Sequence, residues 1–328
     1  LKSLNESWYS KRGWTQSLKP LSAIFAWGVT KRRSAYQEGR RRVWKAPVPV
    51  LVVGNICVGG VGKTPLVAEL CAILSRQGWR PGIVSRGYGG KASSYPCRVT
   101  DSSQAQECGD EPLLLHRKTG CPVVVAPERV SASQYLLKET DCNLIISDDG
   151  LQHYALARDI ELAVVDGSRG LGNGQMIPAG PLREPEERLD EVDFLLINGT
   201  GFVSNRPSWE MNLQPGQLVN LVSKEQLSAD ALVGQGAVHA VAGIGNPKRF
   251  FESLENLGYT LETHEFRDHH PFEAKDIWFG DSRPVIMTEK DAVKCDNFAN
   301  QNCWYLQVTA QLEMGFEREL LAQLAALQ

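Results

Sequence analysis

Pro47-Val-Pro-Val-Leu-Val-Val-Gly-Asn-Ile-Cys-Val-Gly-Gly-Val-Gly-Lys-Thr64 is an apolar strand feeding a glycine loop that closes on Gly62-Lys63-Thr64. A buried strand, a loop without large side chains and a Lys-Thr pair at a helix start form a phosphate cradle. Backbone N–H groups point at phosphate oxygens, the lysine reaches the terminal phosphates and the threonine hydroxyl can ligate Mg²⁺. The candidate nucleotide-binding residues are therefore Cys57, Val58, Gly59, Gly60, Val61, Gly62, Lys63 and Thr64. The common form of this loop has glycine five residues before Gly62, where this chain has Cys57.

A chain of 328 residues is long enough for one large α/β domain or two smaller ones. Its 42% apolar and 22% charged residues describe an ordinary globular protein rather than a disordered or fibrous one. The net charge of −3 gives no reason to expect a nucleic-acid partner. The eight cysteines include no C-x-x-C pair, and Cys71, Cys121 and Cys142 lie in apolar runs. That pattern reads as reduced thiols in a cytosolic compartment, neither a zinc site nor a disulfide framework.

Charge is uneven along the chain. Residues 31–45 carry Lys31, Arg32, Arg33, Arg40, Arg41, Arg42 and Lys45 against Glu38 alone. The short apolar stretch 18–29 precedes them, with Trp8, Tyr9 and Trp14 before it. That stretch is about half the roughly 20 residues a spanning helix needs, and a secretory signal would carry its basic cluster first. Aromatic residues beside a short apolar face, followed by a polybasic run, suit a helix lying on an anionic membrane, with Trp8, Trp14, Phe25 and Trp27 at the acyl boundary. An amphipathic helix packed on the domain fits the composition equally well. The chain opens with Leu1, so one or more residues are expected to precede it.

Apolar, β-branched runs occur at 48–53, 81–85, 122–126, 143–147, 161–165 and 193–197, with helical stretches at 65–77 and 129–139 between some of them. Buried strands alternating with helices predict a doubly wound, mostly parallel α/β sheet. Residues 201–236 are richer in Pro, Gly, Ser, Asn and Gln, which suggests a lobe boundary. Alternation resumes at 238–242, 284–287 and 304–308 and ends on a helix over 315–327. The expected organisation is an N-terminal amphipathic and basic segment (1–46), a core (47–210) and a smaller α/β C-terminal lobe (211–328).

Ligands of such sheets sit at the carboxyl ends of the strands. Those ends carry Arg86-Gly-Tyr-Gly-Gly90, Asp148-Asp149-Gly150 and Asp166-Gly167. An acid closing an apolar strand is the usual metal-holding partner of a phosphate loop. Adjacent Asp148 and Asp149 point different ways, so one can serve a metal while the other orients water or substrate. Taken alone, Asp110-Glu111 before an apolar run is an ordinary helix start, and Asp268-His269-His270 a polar loop. Aspartate beside histidine can also supply the base that a hydroxyl nucleophile needs. Arg183, in the loop Pro178-Ala-Gly-Pro-Leu-Arg-Glu-Pro185, offers a fork for phosphate.

In chain order these motifs resemble the tetraacyldisaccharide 4′-kinase family, the lipid A 4′-kinases of Gram-negative bacteria. The resemblance rests on residues 53–65, Ser85–Gly90, Gly109-Asp-Glu-Pro112, Asp148-Asp-Gly-Leu-Gln-His153, Pro178–Pro185, Gly243-Ile-Gly-Asn-Pro247, Asp268-His269 and Thr288-Glu-Lys-Asp-Ala292. It implies a P-loop kinase that phosphorylates the 4′-hydroxyl of a tetraacyldisaccharide 1-phosphate with ATP and Mg²⁺. The work would be done peripherally at the cytoplasmic face of the inner membrane, with no obligatory protein partner. Lys63 and Thr64 would hold ATP and Mg²⁺, and Asp148 and Glu111 would contribute to the metal sphere. Asp110 would be the base tuned by His269, Asp149 a nearby essential carboxylate, and Arg86, Tyr88 and Arg183 substrate contacts. Sequence does not separate His269 from His270. The tight Gly59–Thr64 loop also resembles membrane-recruited ParA/MinD-like ATPases, but these carry an extra lysine where this chain has Val58. That reading leaves Asp110 and Asp268-His269 without a role.

Overall fold

The computed structural model describes residues 4–10 and 13–327. The segment 1–46 carries α1 (Leu4–Trp8) and α2 (Lys19–Gln37), and residues 38–46, with much of the basic run, are not helical; residues 1–3, 11 and 12 of that segment lie outside the described residues. The first half of the chain then alternates through β1 (Val50–Gly54), α3 (Lys63–Arg76), β2 (Pro81–Ser85), β3 (Cys97–Arg98), α4 (Ala105–Cys108), α5 (Asp110–Thr119), β4 (Val123–Val125), α6 (Arg129–Glu139), β5 (Leu144–Asp148), β6 (Ile160–Asp166) and β7 (Phe194–Asn198). The second half runs β8 (Trp209–Asn220), β9 (Gln226–Leu227), β10 (Ala237–Ala242), α7 (Pro247–Asn256), β11 (Thr260–Glu265), β12 (Val285–Thr288), α8 (Glu289–Ala292), β13 (Cys303–Leu312) and α9 (Phe316–Ala325). Beyond these, residues 14–18 form a 3₁₀ turn. No helix among the described residues is long and apolar enough to cross a membrane.

β1 is buried along its whole length because helices cover both faces of the sheet. Val50 and Val52 pack toward α6 and the half-buried Phe25 and Val29 of α2. Leu51 and Val53 pack on the other face with Leu66 and Leu70 of α3, Leu113 of α5 and Phe316 of α9. The two-residue period of the strand divides consecutive apolar residues between two cores.

All strands join one sheet in the order β11-β10-β12-β13-β8-β7-β6-β1-β5-β2-β4-β3, with β9 paired to β8. From β7 to β4 the neighbours are parallel, as they are from β13 to β11. The two parallel groups meet through β8 and β13, which are antiparallel to each other. β7 pairs with the start of β8, at Trp209–Met211. β12 pairs with the start of β13, at Cys303–Leu306, opposite the far end of β8.

The consequence is geometric. Each parallel group sits at one end of a two-stranded ribbon and aims its carboxyl ends toward the middle. Both sets of loops therefore converge over one stretch of ribbon around Leu213, Pro215, Leu306 and Val308, where the pairing register slips. The long strand β8 arises inside the stretch 201–236, whose periodicity is weak because Pro215-Gly216 interrupts it.

Candidate active site

A cleft opens over that ribbon. Gly60–Pro65 and Glu111 line one side, Ile244–Asn246, Arg249 and Thr288–Lys290 the other. α3 begins at Lys63 and is capped by Gly62 at φ 93°, in the left-handed region. A Cβ on Gly62 would lie 2.5 Å from Asn198 Nδ2, so both conformation and space demand glycine here. Asn198 Nδ2 donates to Val61 O (2.8 Å) and accepts at Oδ1 from Arg249 Nη2 (2.7 Å), which ties the loop to α7 of the second half. Upstream, Val58 N donates to Pro181 O (2.8 Å). Burial pushes the Cys57 thiol up to about 12, so the residue standing in a usual glycine position stays neutral.

The two aspartates after β5 have opposite environments. Asp149 has a positive φ of 46° and takes both ends of the Arg183 fork, Nη1 at 2.9 Å and Nη2 at 2.8 Å. Lys63 Nζ lies 3.4 Å from the same carboxylate and donates to Asn55 Oδ1 at 3.1 Å. Burial alone would raise the Asp149 carboxyl, but Lys63 and Arg183 outweigh it and hold it well below the usual carboxylate range. Asp148 is 1% exposed and accepts at Oδ2 from Ser85 Oγ (3.0 Å), while its Oδ1 is buried without a partner. Burial, then the charges of Glu111 and Asp149, push it up to about 6. A buried carboxylate with an orphan oxygen beside further carboxylates lacks positive charge. The hard oxygen donors Asp148, Glu111 and Thr64 therefore suit a divalent cation.

A second constellation spans the cleft. Asp110 opens α5 and is buried, and His269 Nδ1 lies 2.9 Å from its Oδ2 although 159 positions separate them. Asp110 Oδ1 accepts from the Glu111 N–H at 2.9 Å. Burial opposes ionisation of Asp110, but the His269 hydrogen bond and Lys290 outweigh it and lower its carboxyl below the usual value. The same bond raises the His269 imidazole above 6.5, against the effect of burial. His269 has φ 58°, and its ring lies 4.9 Å from that of Tyr88. His270 turns away and meets Asp276 at 3.0 Å, so the geometry separates two histidines that the sequence leaves equivalent.

Glycine lets these loops touch. A Cβ on Gly109 would stand 2.8 Å from Tyr88 O, and one on Gly245 would stand 2.9 Å from Gly60 N and 3.2 Å from Asp268 Oδ2. Arg86 is exposed at the start of its turn, whereas the Arg183 fork is occupied by Asp149 and Asn55.

Several residues here escape a reading of the sequence. Lys290 Nζ donates to Glu111 Oε1 (2.9 Å) and Asp268 Oδ1 (3.4 Å), bridging the halves beside the Asp110–His269 pair. Glu184 is fully buried and bonded by Gln152 and Tyr154, and it fastens the 178–185 loop beneath Arg183. Its place next to Arg183 in Pro178–Pro185 is the one signal of it in the sequence. Asn55 serves both Lys63 and Arg183.

A family model described as Tetraacyldisaccharide-1-P 4′-kinase matches residues 14–325. The chain is 52% identical to the tetraacyldisaccharide 4′-kinase of Alkalilimnicola ehrlichii over 316 residues, covering 95% of this chain and 93% of the relative. It is 48% identical to that of Aeromonas hydrophila, covering 98% and 96%. Its fold is similar to the crystal structure of LpxK from Aquifex aeolicus in complex with ATP, with a TM-score of 0.78, 28% identity and coverage of 95% of this chain and 98% of that one. The ParA/MinD-like reading gains no support from these similarities.

Asp148 has a folded-state pKa raised from 3.8 to about 6, so ionising it costs stability fully above that value and not at all below about 3.9, the ordinary Asp value. Without divalent cations, Asp148→Asn should therefore stabilise the protein at pH 7.5 by on the order of 3 kcal/mol. The gain should fade in thermal melts as the pH falls toward 4. Excess Mg²⁺ should stabilise the parent but not the variant. Destabilisation by Asp148→Asn at pH 7.5 in chelator would contradict this electrostatic account.

Proposed function

The chain belongs to the tetraacyldisaccharide-1-P 4′-kinase family, and from that premise we propose how its cleft performs the transfer. The protein acts in lipid A biosynthesis as an ATP-dependent kinase of the tetraacyldisaccharide precursor, directed at the 4′-hydroxyl. The Asp110–His269 contact, which joins the two sides of the cleft, carries this reading. A hydroxyl acceptor needs a proton acceptor, and a nucleotide-gated binding protein does not.

ATP lies with its phosphates on Cys57–Thr64. The apolar residues Leu213, Pro215, Ile244, Phe250, Leu306 and Val308 suit its base. Lys63 faces the terminal phosphates, released from Asp149, which Arg183 continues to hold. Thr64, Asp148 and Glu111 would hold Mg²⁺, directly or through water; when bound, the ion neutralises charge on the phosphate oxygens. The 4′-oxygen attacks the γ-phosphorus and the bond to the ADP oxygen breaks. The hydroxyl proton passes to Asp110, which His269 orients and relieves. Arg86 and Tyr88, both exposed, flank the acceptor sugar, and Arg183 serves the site by holding Asp149. Residues 47–210 carry the phosphate loop, Asp110 and Asp148, and residues 211–328, joined to them through β8 and the same sheet, contribute His269, Lys290 and Arg249.

Proton acceptance has a pH signature. Below the raised pKa of His269 the pair is a closed ion pair, whose stabilisation is complete between about 3.9, the ordinary Asp value, and 6.5 and is lost as pH rises through that raised value. Only the neutral imidazole leaves the pair able to accept a proton. With labelled ATP and the tetraacyldisaccharide 1-phosphate in detergent micelles, turnover should rise with pH through an inflection above 6.5, and His269→Ala should abolish the inflection. Asp110→Asn should depress turnover far more than ATP affinity. ATP hydrolysis without lipid phosphorylation, or an unchanged pH profile in His269→Ala, would sink the reading.

Residues 1–46 serve as the membrane-associating segment. Leu21, Ile24 and Trp27 of α2 are exposed, as is Trp14 before it, and Lys31, Arg32, Arg40, Arg41, Arg42 and Lys45 are exposed basic residues nearby. Trp8 is not part of this surface: it is buried, with Nε1 donating to Pro178 O at 3.0 Å, and Phe25 packs on the core. The exposed apolar residues and basic run suit the interface of an anionic bilayer such as the cytoplasmic face of the inner membrane, where an acylated substrate resides. Replacing Ile24 and Trp27 with serine should reduce sedimentation with anionic vesicles while ATP binding persists. Unchanged sedimentation would make α2 a packing helix only.

A further inference from the structure

We propose that the outer edge of the sheet carries a zinc-binding site formed by His239, Glu262 and His264, separate from the nucleotide cleft. The topology sets it up. His239 lies on β10 directly opposite Glu262 of the edge strand β11, and His264 follows two residues later on the same face. His239 Nδ1 and His264 Nε2 are 2.9 Å apart. Glu262 faces both nitrogens, with Oε2 3.9 Å from His239 and Oε1 3.9 Å from His264. All three ligand atoms fall within 4.8 Å of one another.

The surroundings orient the imidazoles as ligands. His239 is 1% exposed, and its Nε2 lies 3.3 Å from both oxygens of Asp281. A carboxylate there draws the proton to Nε2 and leaves Nδ1 with a free lone pair, the carboxylate–histidine arrangement that supports bound zinc. Phe279 stacks on both rings, at 4.0 Å from His239 and 4.1 Å from His264, and restricts their rotation. Arg283 engages Glu262 Oε2 (2.8 Å) and Asp281 Oδ2 (2.7 Å), leaving Glu262 Oε1 for a metal. Two imidazoles and one carboxylate suit Zn²⁺ and disfavour Mg²⁺, which prefers oxygen. Tetrahedral zinc with Zn–N bonds of 2.0–2.1 Å spaces neighbouring nitrogens about 3.3 Å apart, so the rings need open only slightly. Glu262 is half exposed and can rotate inward, with water as the fourth ligand.

A bound ion would cross-link the edge strand β11 to β10. The competing state is metal-free, with His264 Nε2–H donating to His239 Nδ1, and metal content distinguishes the two. Tag-free full-length protein would be stripped with chelator, dialysed against zinc, desalted and assayed for metal. One zinc per chain should remain, and the melting temperature should rise with zinc. Co²⁺ in its place should give the visible absorption of a four-coordinate site. His264→Gln, on the half-exposed edge, should lose the metal and the thermal shift while keeping the parent circular dichroism. Asp281→Asn should weaken zinc roughly 10- to 100-fold, and His269→Ala should retain it. No zinc retained by the parent, or equal retention by His264→Gln and by Glu262→Gln, would overturn the proposal.

Discussion

The hydrogen bond between Asp110 and His269 depends on nearly everything else in the fold. One partner opens a helix of the first parallel group, and the other sits in the loop after β11 of the second. They meet because the groups are strung in opposite directions on the β8/β13 ribbon, which turns both sets of carboxyl-end loops toward a shared centre. In an ordinary doubly wound sheet all loops leave one edge, and a cleft of this kind would need a separate domain to close it. Here one continuous sheet supplies both walls.

Electrostatics then divides the labour among carboxylates of similar chemistry. Asp149 is saturated by Lys63 and Arg183, Asp110 by His269 and Lys290, and Asp148 by little more than a serine hydroxyl. The unsatisfied member marks where positive charge is missing, and the satisfied members mark what the protein holds fixed before substrate arrives. Such preorganisation lowers the reorganisation needed during transfer, while the uncompensated Asp148 weakens the empty fold.

Much of this was legible in the sequence because the relevant chemistry is local. The apolar run into Gly62-Lys63-Thr64 announces its strand, turn and helix, and acids closing apolar runs identify the strand ends. Besides the two-residue strands β3 and β9, β8 and β11 were hidden for identifiable reasons. β8 contains Pro215-Gly216 and alternates only weakly, since it bridges two groups instead of lying inside one. β11 is a half-exposed edge strand whose Thr260-Leu-Glu-Thr-His-Glu265 has no apolar run. The partners of Lys290, Glu184 and Asn55 were illegible too, since each lies far away in the sequence. The choice of His269 over His270 comes from backbone geometry: a residue at φ 58° reverses the chain and sends neighbouring rings to opposite sides.

The central claim is that Asp110 and His269 act as one unit in proton acceptance, and a double-mutant cycle on turnover tests it most directly. Turnover would be measured in Asp110→Ala, His269→Ala and the double variant at saturating ATP and lipid, with folding checked by thermal melts. Groups acting as a unit are strongly non-additive. The double variant should be scarcely slower than Asp110→Ala alone. A double variant slowed by the product of the two single effects would mean that the residues contribute independently, and the proposed pair would not be the proton acceptor.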